Sequence, residues 1–128
     1  MRHMWTVAVL ALLATGCGQA GETQGNEAPA EVQSEGQRAL HQLNETDRAI
    51  GLKRAIHGSG FQCQRIDRSA FVQKYGTLEM WAAACNDGRG WGLFVGRDET
   101  VQVRSCKDLV SLKLPRCPSW AENAPVTR

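Results

Sequence analysis

Histidine is scarce: three occur in 128 residues, and one of them stands at position 3. His41 and His57 are the two left to serve as general bases, and both fall in a helical region. His57 sits beside Gly58, where an imidazole near a helix C-terminus serves as a favourable dipole partner rather than a base. No Gly-x-Ser-x-Gly elbow, His-Glu-x-x-His helix or phosphate-cradling glycine loop occurs in the chain. Cys-x-x-Cys is absent as well, which excludes paired zinc knuckles and a thioredoxin-like redox pair. Asp67 and Glu79 are isolated carboxylates that nothing in the sequence brings together. These absences predict a protein with no catalytic residue, no metal and no cofactor. Long apolar runs are missing too. The longest, Met4 to Ala14, is about eleven residues against the roughly 20 that a membrane span needs.

That run is informative in another way. A short basic start, Arg2 with His3, precedes it, and the small residues Thr15 and Gly16 follow it, then Cys17. Charged region, apolar region and small-residue cleavage site in that order make a secretory signal peptide, here residues 1–16. The segment Leu13-Ala14-Thr15-Gly16-Cys17 resembles the lipobox of bacterial lipoproteins. The family usually has Leu or Val three residues before the cysteine, whereas this chain has Ala14 there and Leu13 one place earlier. The resemblance implies a diacylglyceryl group on the thiol of Cys17. Each acyl methylene adds about 0.8 kcal/mol of membrane affinity, so two or three chains hold a protein durably. Gly18 stands where Asp signals inner-membrane retention in Gram-negative relatives. The resemblance therefore implies the outer membrane, facing the periplasm.

From Gly18 to Gly36 the chain is rich in Gly, Gln, Glu, Ala and Pro, with Val32 its only branched aliphatic. Such a segment buries too little apolar surface to offset its ordering entropy, so residues 17–36 are expected to form a disordered, lipidated tether. A flexible coil of that length spans roughly 25 Å. Its only charges are Glu22, Glu27, Glu31 and Glu35, whereas residues 37–128 carry 14 Lys and Arg against 9 Asp and Glu. An acidic stalk thus precedes a basic head. Export separates such a head from nucleic acid, which leaves the membrane, an envelope protein or a glycan as expected partners.

The head, residues 37–128, is small enough that its core alone is marginal. Cys63, Cys85, Cys106 and Cys117 form an even set in an exported domain, which reads as two disulfides. Three connectivities exist. Neighbourhood along the chain favours Cys63–Cys85 and Cys106–Cys117.

Ser34 with Gln37 is a capping-box signature for a helix start. A second helical stretch with Ala49, Ile50, Leu52 and Ile56 ends at Gly58 and Gly60. Phe61–Ile66, Thr77–Cys85, Trp91–Val95 and Thr100–Ser105 read as strands, with a strong turn at Asn86-Asp87-Gly88. A short helix is expected from Ser105 and Asp108 through Leu112, ended by Pro115. The predicted fold class is α+β: a helical segment packed on a small antiparallel meander, stapled by two disulfides.

Met80 to Ala84 are apolar without alternation. If Cys85 pairs with Trp91, then Trp81, Ala83, Leu93 and Val95 share one face, and Met80, Ala82, Ala84 and Phe94 share the other. One helical layer covers one face, so the second needs the C-terminal segment around Trp120, a partner, or an open groove. Trp81, Trp91, Phe94 and Trp120 in a basic head suit peptide or glycan contact and form the candidate binding surface. The glycine-ended helix, the strand with Trp81, the Gly88/Gly90–Trp91 hairpin and the Val-rich strand, from Asp47 to Arg104, resemble PepSY-type periplasmic domains. That resemblance implies an envelope interaction module, or one that restrains a peptidase. The chain departs from it in having Arg97-Asp98-Glu99-Thr100 where the family has Asp with Thr-Gly, and in its four-cysteine frame. No inhibitory residue carries over.

Overall fold

Two capped helices open the domain of this computed structural model, which describes residues 32–128. The segment expected to be a signal peptide, Cys17 as the expected lipidation site and most of the expected tether lie outside the described residues. Helix α1 spans Glu35–Gln42, and its Ser34 cap forms the expected capping box. The Gln37 N–H donates to Ser34 Oγ (3.2 Å), and the Ser34 N–H donates to Gln37 Oε1 (3.0 Å). The folded unit therefore begins by Ser34, and the tether boundary at Gly36 is corrected upstream. Helix α2 spans Glu45–Gly58, is capped by Asn44, and stops before Gly60, whose φ of 85° suits glycine.

Four antiparallel strands follow: β1 (Ile66–Tyr75), β2 (Leu78–Cys85), β3 (Gly90–Val95) and β4 (Val101–Ser105). They lie side by side in sequence order, the simplest meander. The first strand is a correction. Phe61 to Arg65 is irregular, and the strand begins at Ile66. Phe61 N–H instead donates to Ile56 O, the Asn86 N–H donates to Arg65 O (2.9 Å), and the Arg65 N–H donates to Oδ1 of the buried Asn86 side chain (3.1 Å). Irregularities at Ile66/Arg68 and Phe71/Gln73 break the two-residue period of β1, and edge position leaves most of it exposed. Alternation, the usual sign of a strand, is lost there.

Both inner strands are buried throughout β3 and from Glu79 to Cys85 in β2. Trp91 pairs with Ala83 rather than Cys85, a shift of two that keeps every side chain on its expected face. On one face Trp81, Ala83, Trp91, Leu93 and Val103 pack under Leu52 and Ile56 of α2. On the other, Met80, Ala82 and Phe94 pack under Leu109, Ala121 and the Cys106–Cys117 disulfide. The C-terminal segment is thus the second cover. It is not the helix expected through Leu112: residues 106–113 form successive turns, and the only helix there is α3 (Ser119–Glu122), just after Pro118. Lys113 at φ 56° and a Leu114 N–H bond to Leu109 O (2.9 Å) curl the segment back on itself. The disulfides are the neighbouring pairs, Cys63–Cys85 and Cys106–Cys117.

The second cover approaches the sheet through glycine. A Cβ on Gly90 would stand 1.9 Å from the carbonyl oxygen of Ala121. Backbone, not a flexible side chain, occupies that space. Gly90→Ala is therefore expected to lift α3 from the sheet and to cost about 1–3 kcal/mol, as overpacking does. Urea denaturation measures the loss, and amide exchange places it at α3 and β3. An unchanged midpoint would show that the contact is not maintained in solution.

Candidate functional site

Glu79 is 2% exposed, an unusual place for a carboxylate, and Gln33 and His41 from the chain around α1 hold it. Gln33 Nε2 donates to Glu79 Oε1, and His41 Nε2 stands 3.0 Å from Glu79 Oε2. Gln37, the only fully buried residue of α1, donates from Nε2 to Val95 O (3.0 Å) and Thr77 O (3.1 Å). The His41 ring packs against Trp81 and Phe71, at centroid distances of 4.9 and 4.8 Å. This network was missed in the sequence because its partners lie 38 to 58 residues apart. A His–carboxylate contact is the raw material of general base catalysis. Here the space beside Glu79 measures about 10 Å³, the volume of about one water. The network's physical work is to seat α1, whose other contact with the core is the half-buried Leu40.

The predicted binding aromatics do not form a surface. Trp81 is 2%, Phe94 2% and Trp91 4% exposed, so a ligand touching them must open the core. This corrects the expectation of a four-aromatic surface. Trp120 alone is partly open, with the Arg68 guanidinium 4.5 Å above its ring. Arg48 and Arg89 flank Trp81 and Trp91 in the same manner, at 5.6 and 5.8 Å. The indole N–H groups of Trp81 and Trp91 are buried and find no acceptor among the described residues. His57 lies with Nε2 2.8 Å from Cys63 O, pinning the chain after α2 rather than acting on its dipole alone.

A concave feature lies beside α2. A groove of about 410 Å³ runs between α2 and the start of β1. Ala49, Ile50 and Ile66 supply its aliphatic floor, and Lys53, Arg65 and Asp67 stand along its rim. Ile50 is 45% exposed. It continues past Ile50 and Lys53 into a shallower depression beside Arg54 and His57. At its edge Arg65 Nε donates to Asp67 Oδ1 (2.7 Å), and the Thr127 hydroxyl donates to Asp67 Oδ2. Those two bonds hold the Asp67 carboxyl below its ordinary range, the Arg65 bond being the larger cause. A lowered carboxyl stabilises the fold above its unfolded range, and that contribution is lost on acidification. The C-terminal tail, which also pairs Val126 with Asp87, is thus fastened to the groove rim by a bond that acid loosens.

Among the described residues no three His, Cys, Asp or Glu gather as metal ligands, and no helix is long and apolar enough to cross a membrane. Compared with protein-family models, curated proteins and solved structures, the chain matches none.

Glu79→Ala removes the acceptor shared by Gln33 and His41 and leaves the half-buried Gln33 and the more exposed His41 without it. It is expected to cost about 1–3 kcal/mol, with amide exchange rising first in α1. Glu79→Gln keeps one acceptor and should lose less. Equal losses for the two variants would show that the network does not seat the helix.

Proposed function

We propose that this chain is a lipid-anchored, non-catalytic envelope protein whose head is a protein-interaction module. The anchor is Cys17, on the strength of the lipobox-like run before it, and the location is the outer membrane facing the periplasm. The observation that carries the interaction reading is the groove beside α2, where the exposed Ile50 lies between Lys53 and the Arg65–Asp67 pair. Its residue types favour polypeptide over glycan. Sugar rings bind by stacking their C–H faces on aromatic rings, and no aromatic side chain lines the groove. An aliphatic floor with charges of both signs at its rim suits instead a segment of chain with one apolar anchor and polar flanks.

Two measurements test this reading. Cys17→Ser is expected to abolish labelling by a clickable fatty acid and move the protein from the membrane to the soluble fraction. Membrane retention without lipid labelling of the parent protein would overturn the anchor. A photo-crosslinking residue at Ile50 is expected to give one discrete protein adduct in intact cells, absent from the same residue at Arg97 in the β3–β4 turn. Lys53→Glu should weaken that adduct about tenfold, equivalent to about 1.4 kcal/mol. Equal adducts from both positions, or none from Ile50, would overturn the groove.

A further inference from the structure

On the sheet face opposite α2, the chain between Cys106 and Cys117 folds as a loop in two layers. Leu109 is fully buried and Leu114 half-buried, both packed on the Met80–Phe94 face. Between them Val110 and Leu112 point outward, 56% and 49% exposed. Backbone bonds fix this division: Leu112 N–H donates to Asp108 O (3.0 Å), and Lys113 N–H donates to Val110 O (3.1 Å). The disulfide joins the loop's ends, with its Cα atoms 5.6 Å apart. Exposure of the two aliphatics is therefore built into a closed loop.

Cations stand in the same loop. Lys107, Lys113 and Arg116 flank the pair, and Asp108 is the only acid between the two cysteines. Lys107, Val110 and Arg116 line one depression of about 290 Å³, so charge and apolar surface are contiguous. Arg116 remains 71% exposed even with its Nε 3.3 Å from Glu122 Oε1. Exposed aliphatics scattered singly are ordinary on protein surfaces. Two on one stapled tip, with three cations in the same loop, match what interfacial membrane binding requires: apolar atoms to enter the headgroup layer and positive charge to hold its phosphates.

We propose that the 106–117 loop is a membrane-surface contact, with Val110 and Leu112 entering the interfacial layer of an anionic phospholipid leaflet and Lys107, Lys113 and Arg116 meeting its headgroup phosphates. This contact does not depend on the groove beside α2, which lies on the other sheet face.

The test uses the chain from position 17 onward carrying Cys17→Ser, the expected mature form without acylation, which also lacks the apolar Met4–Ala14 run and Trp5, the one tryptophan outside the head. Leu112→Trp in that background reports insertion. Vesicles of phosphatidylglycerol and phosphatidylcholine, with bromines near the headgroup end of the acyl chains, are expected to quench the added indole. Pure phosphatidylcholine vesicles should not. Lys107→Glu with Lys113→Glu is expected to lower the vesicle-bound fraction by more than tenfold, from about fivefold per cation. Val110→Asp with Leu112→Asp should do the same. All four positions are exposed, and near-UV circular dichroism checks that the fold survives. Absence of extra quenching, or vesicle binding unchanged in both double variants, would overturn the proposal. So would an equal response to soluble glycerophosphoglycerol, which would assign the loop to phosphate rather than to a bilayer.

Discussion

Two adjacent strands with no polar face govern this structure. β2 and β3 present buried side chains on both sides, so the sheet is stable only between two covers. Burying each large side chain contributes about 1.5–3 kcal/mol, and Trp81, Met80, Leu93 and Phe94 divide that gain between the faces. Each cover also has its own staple. Cys63–Cys85 ties the chain leaving α2 to the end of β2, and Cys106–Cys117 closes the segment lying on the far face. Disulfides closing loops of this size contribute roughly 2–4 kcal/mol each, mostly by restricting the unfolded chain. In a head of under 100 residues, where core burial alone is marginal, that contribution is comparable with the whole net stability.

The small residues of the two central strands follow from the same constraint. Ala82, Ala83 and Ala84 in β2, with Gly90 and Gly92 in β3, let backbone and disulfide approach closely on a sheet that larger side chains would hold apart. Leu109 reaches within 3.1 Å of where a Gly92 side chain would begin, and Ala121 closer still at Gly90. Alanine and glycine are poor strand formers by propensity. They stand here because the layer above needs their volume, which is tertiary packing overriding local preference.

What the sequence made legible were features carried by neighbours in the chain. The capping box at Ser34, the glycine stop after α2, the turn at Asn86-Asp87-Gly88 and the cysteine pairing all rest on short separations. The consecutive apolar run in β2 announced two covered faces, and face assignment survived a shift of two in register because parity did not change. β1 was misplaced because its bulges erase alternation and its exposed edge demands no apolar pattern. The Glu79 network was invisible for a different reason. Gln33, Gln37 and His41 look like ordinary polar residues until the sheet places a carboxylate and two carbonyls beneath them. The candidate surface of four aromatics failed on the same ground: a small two-faced sheet needs its large rings inside, and aromatic content alone does not distinguish core from contact.

Polar seating of α1 sets it apart from α2. Leu52 and Ile56 hold α2 by apolar burial, whereas α1 is held through hydrogen bonds to Glu79, Thr77 and Val95. A hydrogen bond contributes only about 0.5–1.5 kcal/mol net, though breaking one to a buried carboxylate costs more. Helix α1 is also the first element among the described residues. On the proposed reading, any pull between anchor and head is therefore borne first by the Glu79 network, while the core under α2 stays closed. The groove beside α2 and the 106–117 loop lie on opposite sheet faces, and neither requires α1 to be displaced. A head resting on a leaflet through Val110 and Leu112 would present the groove away from the lipid. If both proposed contacts form, their placement on opposite sheet faces lets each be made without opening the core between them.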